Sequence, residues 1–503
     1  MTIDEQDFDT LLETRMQRFH FLLDYAHFDF KQYQYDGVKW CIANELRPKP
    51  PANIRGGFIA DEMGLGKTLT MIGTMFAHFV PRTLIVVPSV LIQQWFNEIY
   101  RATGHRALLF YGNNKKYITQ EMLNNRPIII TTYGSVLPQD CLLKKIVWSR
   151  IIFDEAHHLR NKNSRFKACL ELKSRIRWLV SGTPVQNKKR DFYNLCEAVG
   201  IKSLFYKKTD AMRIIGKNFV LRRTKAQVGI HLPPINISNY VVPWNNMDEM
   251  LLSEEIHSLL PNQTNVSPFK RRKVAAAFTK GGALTALLRS RQSCIMSSLM
   301  RKNIDTFYAE GLIDQSSISA LEYSSKLDAV INLALSRKDN GKGKLIFCHF
   351  REEIDEIVRR LVKGGMHHVA FYDGRNSKSS ELEALFEGND ALVMQIQTGC
   401  EGLNLQQQYS EIYFVSPHWN PFIEEQAIAR CHRIGQASPV DVFRFEMGGF
   451  SNASVPVTGN SPSSLEKYIK QIQNVKKDIS NTLLPPLGKV EPNIAYQGTN
   501  DTP

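Results

Sequence analysis

The chain has 503 residues (57.5 kDa), of which 43% are hydrophobic and 22% charged, ordinary values for a globular protein with room for roughly two to four domains. No apolar run approaches membrane length and the opening Met1–Asp7 is acidic, so neither a membrane span nor a secretory leader is expected. A net charge of +14 favours a polyanionic partner, while eight cysteines, no two closer than 27 residues, exclude a locally spaced zinc cluster and suit a reducing compartment.

Residues 1–27 read as a polar-fronted helix with no evident role. Phe30-Lys-Gln-Tyr33-Gln34-Tyr-Asp-Gly37-Val-Lys-Trp40 follows. The amide of Gln34 can pair with both the donor and the acceptor of an adenine edge, although an isolated glutamine is more often a surface residue. Phe58-Ile-Ala-Asp61-Glu-Met-Gly64-Leu-Gly66-Lys67-Thr68 then runs from an apolar strand end through a glycine turn into residues at helical spacing (Leu69, Met71, Ile72, Met75, Phe76). Such a turn aims backbone N–H groups at phosphate oxygens, with Lys67 reaching the β/γ-phosphates and the Thr68 hydroxyl able to ligate Mg²⁺. The full P-loop pattern wants a glycine where this chain has Asp61, so taken alone the motif also fits a glycine turn before an ordinary helix.

Strand-length apolar runs recur downstream at Thr83–Pro88, Ala107–Tyr111, Ile128–Thr132, Ile151–Asp154 and Trp178–Ser181. Continuous rather than alternating apolar runs predict strands buried on both faces, hence a parallel sheet under helices, with ligands at the strand ends. Asp154-Glu155-Ala-His157 ends one such run, placing Asp154 for Mg²⁺ and Glu155 to polarise an attacking water. Ser181-Gly-Thr183-Pro184, with Gln186-Asn187 behind it, ends the next and is positioned to sense the γ-phosphate.

Together Asp61–Thr68, Asp154–His157 and Ser181–Asn187 resemble motifs I, II and III of the Swi/Snf-type ATPases, a branch of helicase superfamily two, and Tyr33–Trp40 resembles their adenine-side Q motif. Asp61 is that family's own variant of the first P-loop position, and Phe219-Val-Leu-Arg222-Arg223-Thr-Lys225, followed by Leu232-Pro-Pro234, is a further family signature. The wording around Asp154–Asn161, Arg177-Trp178 and Pro421–Arg433 most resembles the subgroup active in DNA repair and transcription termination, here without a RING insertion.

Residues 201–300 hold 15 Lys and Arg against 5 Asp and Glu, which concentrates the basic excess and points to nucleic acid. Residues 235–322 show no strand run and are expected to form a mostly helical, basic insertion, with Lys270–Lys273 serving either DNA binding or nuclear import. A second series of strands (Lys344–His349, His368–Tyr372, Ala391–Met394, Glu411–Val415, Val440–Arg444) predicts a second α/β lobe without its own P-loop. Within it Gln397-Thr398-Gly-Cys-Glu-Gly-Leu-Asn404-Leu405, Trp419-Asn-Pro421 and Gln426-Ala-Ile-Ala-Arg430-Cys-His-Arg433 resemble motifs V and VI, with Gln397 standing where the family usually has serine. On one helix Gln426, Arg430 and Arg433 would share a face. Residues 448–463 read as a Gly/Ser/Pro loop, 464–484 as an amphipathic closing helix and 485–503 as a disordered tail.

The expected fold is therefore α/β, two RecA-like parallel-sheet lobes of the P-loop NTPase class at 28–234 and 323–447, with a helical insertion between them. The resemblance implies a DNA-dependent ATPase that translocates on duplex DNA to remodel or displace bound protein, using ATP and Mg²⁺, with Lys67, Asp154, Glu155, Arg430 and Arg433 catalytic and Gln34, Asp61, Gly64, Gly66, Thr68 and Gln426 binding nucleotide. It assigns coupling and DNA contact to Ser181, Thr183, Thr398, Asn404 and Trp419. The implied partner is double-stranded DNA, bound without sequence preference, carrying nucleosomes or transcription or repair complexes, in the nucleus or another DNA-containing compartment. A strand-separating helicase and a non-catalytic DNA-binding scaffold are the alternatives; retention of Lys67, Thr68, Asp154, Glu155, Arg430 and Arg433 weighs against the scaffold.

Overall fold

The computed structural model describes residues 5–183, 188–206, 211–257, 260, 283–311, 314–375, 388–399, 403–450 and 464–483. The chain divides into two compact units, the first comprising the residues up to His231 together with 478–483 among the described residues, and the second spanning Leu232–Lys477. Each is an α/β lobe built on a parallel sheet.

In the first lobe the strands are β1 (Arg55–Ile59), β2 (Thr83–Val87), β3 (Leu108–Phe110), β4 (Ile128–Thr132), β5 (Val147–Asp154), β6 (Lys173–Val180) and β7 (Val220–Leu221), in the order β3-β4-β2-β5-β6-β1-β7. Every residue of β2 is buried, as continuous apolar runs require of a strand covered on both faces. One face packs on a cluster around Phe58, Trp148, Phe153 and Phe192, and the other on a cluster around Phe19, Ile72, Trp95 and Trp178. The register aligns the carboxyl ends of three neighbouring strands, because Val180 of β6 pairs with both Ile59 of β1 and Asp154 of β5. That single row brings together the segments that follow β1, β5 and β6.

Three helices frame this row: α1 (Glu5–Tyr25), α2 (Gln32–Leu46) and α3 (Lys67–Ala77). The otherwise unassigned α1 buries Leu12, Met16, Phe19, Leu22 and Leu23 in the cluster that also holds Met71, Ile72 and Met75 of α3. Its role is to cover the helix that follows the glycine turn. Beneath the sheet, Glu45 of α2 is fully buried and receives both Arg150 of β5 and the indole N–H of Trp178 of β6.

The second lobe contains β8 (Ile235–Val242), β9 (Gly343–Cys348), β10 (Val369–Tyr372), β11 (Ala391–Gln395), β12 (Tyr409–Phe414) and β13 (Val440–Met447), in the order β10-β11-β9-β12-β13-β8. Strand β8 corrects the sequence expectation that 235–322 is without strands. It pairs parallel with β13 over eight residues, from Val440↔Ile235 to Met447↔Val242. It escapes a search for apolar runs because it is an edge strand, exposed along most of its length, with Asn236, Ser238 and Asn239 in the interior. The helices Met247–His257, Ala283–Ile295 and Arg301–Ala309 follow it. Two further helices are α4 (Pro421–Cys431) and α5 (Leu465–Leu483). The Lys270–Lys273 cluster, Pro184, Gln186, Asn187, the loop from 451 to 463, the tail from 484 and the side chain of Thr398 lie outside the described residues.

Candidate active site

The glycine turn between β1 and α3 has Gly64 and Gly66 at φ +90° and +76°, a left-handed backbone that a β-carbon would strain. Gly66 is also a close approach, since a Cβ there would stand 2.7 Å from Gln34 Nε2. Gln34 of α2 therefore lies against the turn. It is buried, and among the described residues its Oε1 has no hydrogen-bond partner. An orphaned buried acceptor is costly unless a ligand donor meets it, and an adenine amino group is such a donor.

Lys67 opens α3, and its ammonium donates to the backbone oxygens of Asp61 (3.0 Å) and Glu62 (3.5 Å) within its own turn. The motif at the end of β6 lies beside it, since a Cβ on Gly182 would come within 3.3 Å of Lys67 Nζ. Ser181 N–H donates to Ile59 O at 3.0 Å, extending the row of strand ends, and Thr183 N–H donates to Ser181 Oγ at 3.3 Å. Both side chains are buried.

Asp154 ends β5, nine-tenths enclosed. Trp95 Nε1 donates to its Oδ2 at 2.7 Å, and the N–H of Glu155 to its Oδ1 at 2.9 Å. Tyr133 hydroxyl donates to the Asp154 carbonyl at 2.7 Å. Burial, then the neighbouring Glu155 carboxylate, pushes the Asp154 pKa up to about 7. Two acids so placed favour a divalent cation, and the hydroxyl and carboxylate donors of Thr68 and Asp154 are the hard oxygens that Mg²⁺ takes alongside water and phosphate. Glu155 has φ +46°, a conformation that non-glycine residues hold only where surrounding structure enforces it. His157 Nδ1 lies 3.1 Å from its Oε2.

Asp61 has a different partner from the nucleotide expected of it. Both of its carboxylate oxygens are engaged by Arg223, Nε to Oδ1 at 3.1 Å and Nη2 to Oδ2 at 2.6 Å.

In the second lobe Asn404 meets Arg433, whose Nη1 donates to Asn404 Oδ1, and Leu405 N–H donates to Arg430 O at 3.1 Å, so the two predicted motifs adjoin. The shared helical face needs correction. Helix α4 ends at Cys431, with His432 as its C-cap at φ −89°, ψ 78°, so Arg433 lies in the following turn while Gln426 and Arg430 stay on the helix. Gln426 is fully buried, and its Nε2 has no partner among the described residues. Trp419 packs beside Leu465 and Ile469 of α5, with the Arg291 guanidinium 5.8 Å from its ring centroid.

Sequence reasoning missed Trp95 and Arg223 as supports of the site. Nothing local marks Trp95, one of several large apolar residues in its helix. Arg223 lies within the Phe219–Lys225 signature, but its partner lies 162 residues earlier.

Residues 33–299 match the family described as the SNF2-related domain, and residues 325–435 match the helicase conserved C-terminal domain. An uncharacterized ATP-dependent helicase of Mycoplasma genitalium is 26% identical over 505 residues, covering 95% of this chain and 44% of that protein. The chain thus spans less than half the length of that relative. A probable global transactivator of Orgyia pseudotsugata multicapsid polyhedrosis virus is 26% identical, covering 90% of each chain. Among solved structures, the Hef helicase domain of Pyrococcus furiosus aligns over 84% of this chain and 96% of that one, with a TM-score of 0.52 and 17% identity, a likeness of fold.

Proposed function

Because the chain belongs to the SNF2-related family, we propose that it is an ATP-dependent translocase on double-stranded DNA that remodels or displaces DNA-bound protein, hydrolysing ATP to ADP and phosphate. The observation that carries this is the alignment of the β1, β5 and β6 ends, which sets Lys67, Asp154 with Glu155, and Ser181 around one glycine turn with Gln34 against it. When bound, ATP with Mg²⁺ supplies the phosphoanhydride and the charge that holds it. Lys67 would leave its carbonyl partners for the phosphates, Thr68 and Asp154 would hold the ion, and Glu155 would orient the attacking water and take its proton. Gln34 and Gln426 bind nucleotide, and Arg430 and Arg433 offset negative charge in the transition state. Ser181, Thr183, Thr398, Asn404 and Trp419 pass the nucleotide state to DNA.

Duplex DNA is held through its phosphates, without reading sequence. The net charge of +14 supports this partner, and the names of the mycoplasma and viral relatives support ATP use and a role in transcription. The displaced cargo is a nucleosome or a transcription or repair complex, in the nucleus or another DNA-containing compartment.

Displacement of a third strand from a DNA triplex tests the proposal. The translocase strips the triplex with ATP and leaves a forked duplex paired. Unwinding of the fork would establish the strand-separating helicase, the alternative suggested by the mycoplasma relative's name. Activity on neither substrate, without ATP turnover, would leave a scaffold.

A further inference from the structure

The segment that follows β7 is fastened to the glycine turn far more closely than chain continuity requires. Pairing of β1 with β7 covers only Phe58↔Val220 and Ile59↔Leu221. Beyond it the contact continues residue by residue: Ala60 N–H to Leu221 O at 2.7 Å, Glu62 N–H to Arg223 O at 2.9 Å, and Lys225 N–H to Glu62 Oε2 at 2.8 Å. Lys225 Nζ closes the run at 3.2 Å from Glu62 Oε1.

Arg223 is the centre of this seam. Asp61 is fully buried, where an unmatched carboxylate would be strongly disfavoured, and Arg223 meets both its oxygens with a planar fork while its own N–H adds a third bond to Oδ1 at 3.0 Å. Its remaining nitrogen, Nη1, donates to Tyr33 O at 2.5 Å, and its guanidinium carbon lies 5.8 Å from the Tyr33 ring centroid. Tyr33 immediately precedes Gln34. Asp61, in turn, offers its backbone oxygen to Lys67. One side chain therefore fixes the peptide on which Lys67 rests and the peptide that carries Gln34. Gly37 makes room for it, because a Cβ there would stand 2.8 Å from Arg223 Nη2.

We propose that Arg223 is a positioning residue of the nucleotide site, setting the adenine side and the phosphate side in register through Tyr33 and Asp61 without touching nucleotide. The inference rests on the nucleotide reading of the glycine turn. Lysine cannot replace arginine here, since a point charge reaches one carboxylate oxygen or the Tyr33 carbonyl but not all three.

The test is steady-state ATP turnover and binding of a fluorescent ATP analogue by the full chain, comparing wild type with Arg223→Lys, Asp61→Asn, the double variant and Gly37→Ala. Arg223→Lys is expected to raise the KM for ATP and the analogue Kd by about tenfold, the usual scale for losing a charge-assisted bond, with kcat at saturation within about twofold. Asp61→Asn should do the same, and the double variant should be no worse than either alone, as partners in one interaction behave. Gly37→Ala removes no polar group and only crowds the guanidinium, so it keeps the question open to measurement if the buried charge variants fail to fold; it should raise KM in the same direction. Unchanged KM in Gly37→Ala and in every folded charge variant, whatever their melting temperatures, would overturn the positioning role alone. A wild-type chain that binds no ATP analogue would overturn the nucleotide reading and this inference with it.

Discussion

The indole N–H of Trp95 holds Asp154 Oδ2 at 2.7 Å, with both groups buried. One oxygen of the proposed Mg²⁺ ligand is thereby fixed by a side chain from a different element, and the other by the backbone of Glu155. Trp95→Phe keeps most of the ring and deletes only the donor. Losses of this outer kind typically cost about 10–100-fold in metal affinity. The Mg²⁺ concentration giving half-maximal ATP turnover should rise by about tenfold, and an unchanged Mg²⁺ requirement would remove Asp154 from the metal site.

The proposed duties of Lys67 and Glu155 are separable. Lys67→Ala should weaken ATP binding, because the phosphates lose their principal cation. Glu155→Gln should bind ATP like the wild type and fail to turn it over, since an amide accepts no proton from water. Affinity and hydrolysis measured separately check the pair; normal turnover in Glu155→Gln would remove it from catalysis.

Glu45 supplies a pH test that is independent of nucleotide. Burial alone would raise its pKa, but Arg150 and His78 outweigh burial and hold it at about 2. A depressed carboxylate pKa contributes stability that is complete above the unfolded value of about 4.3 and is lost as pH falls towards 2. Glu45→Gln should destabilise the first lobe by ~3–5 kcal/mol at pH 7, because Arg150 is left buried without its partner. The gap to wild type should narrow below about pH 4. Denaturant melts at pH 7 and pH 3.5 measure it, and a gap of equal size at both values would contradict the assignment.

Arg433 is held by Asn404 in the turn after α4, so its loss should spare the fold. Arg433→Ala should leave the melting temperature and ATP affinity nearly intact while DNA-stimulated turnover drops by about 10³-fold or more. Arg433→Lys should rescue little, for want of a planar fork. A lower melting temperature with stimulated turnover preserved per folded molecule would make Arg433 structural instead.

Much of this arrangement is legible in the sequence because it rests on strand ends. Apolar runs announce β2, β4, β5 and β6, and a polar residue directly after such a run, as at Asp154 and Ser181, falls at the ligand edge of a parallel sheet. What escapes is long-range or irregular. Strand β8 lacks an apolar run because it sits at an edge. Helix α4 stops at Cys431 although the spacing of Gln426, Arg430 and Arg433 would suit its continuing. The partnership of Asp61 with Arg223 joins residues that no local pattern connects. Spacing predicts what one element presents, whereas a fork across the sheet requires the fold.

Whether duplex DNA drives this site is read from the ATPase rate of the full chain with no nucleic acid, single-stranded DNA, RNA, duplex DNA and nucleosomes, each over a range of salt. Duplex DNA should stimulate turnover well above single strands and RNA, regardless of sequence, and the stimulation should fall steeply with salt as phosphate contacts release counterions. Equal stimulation by RNA or single-stranded DNA, or a rate indifferent to every nucleic acid, would contradict the account.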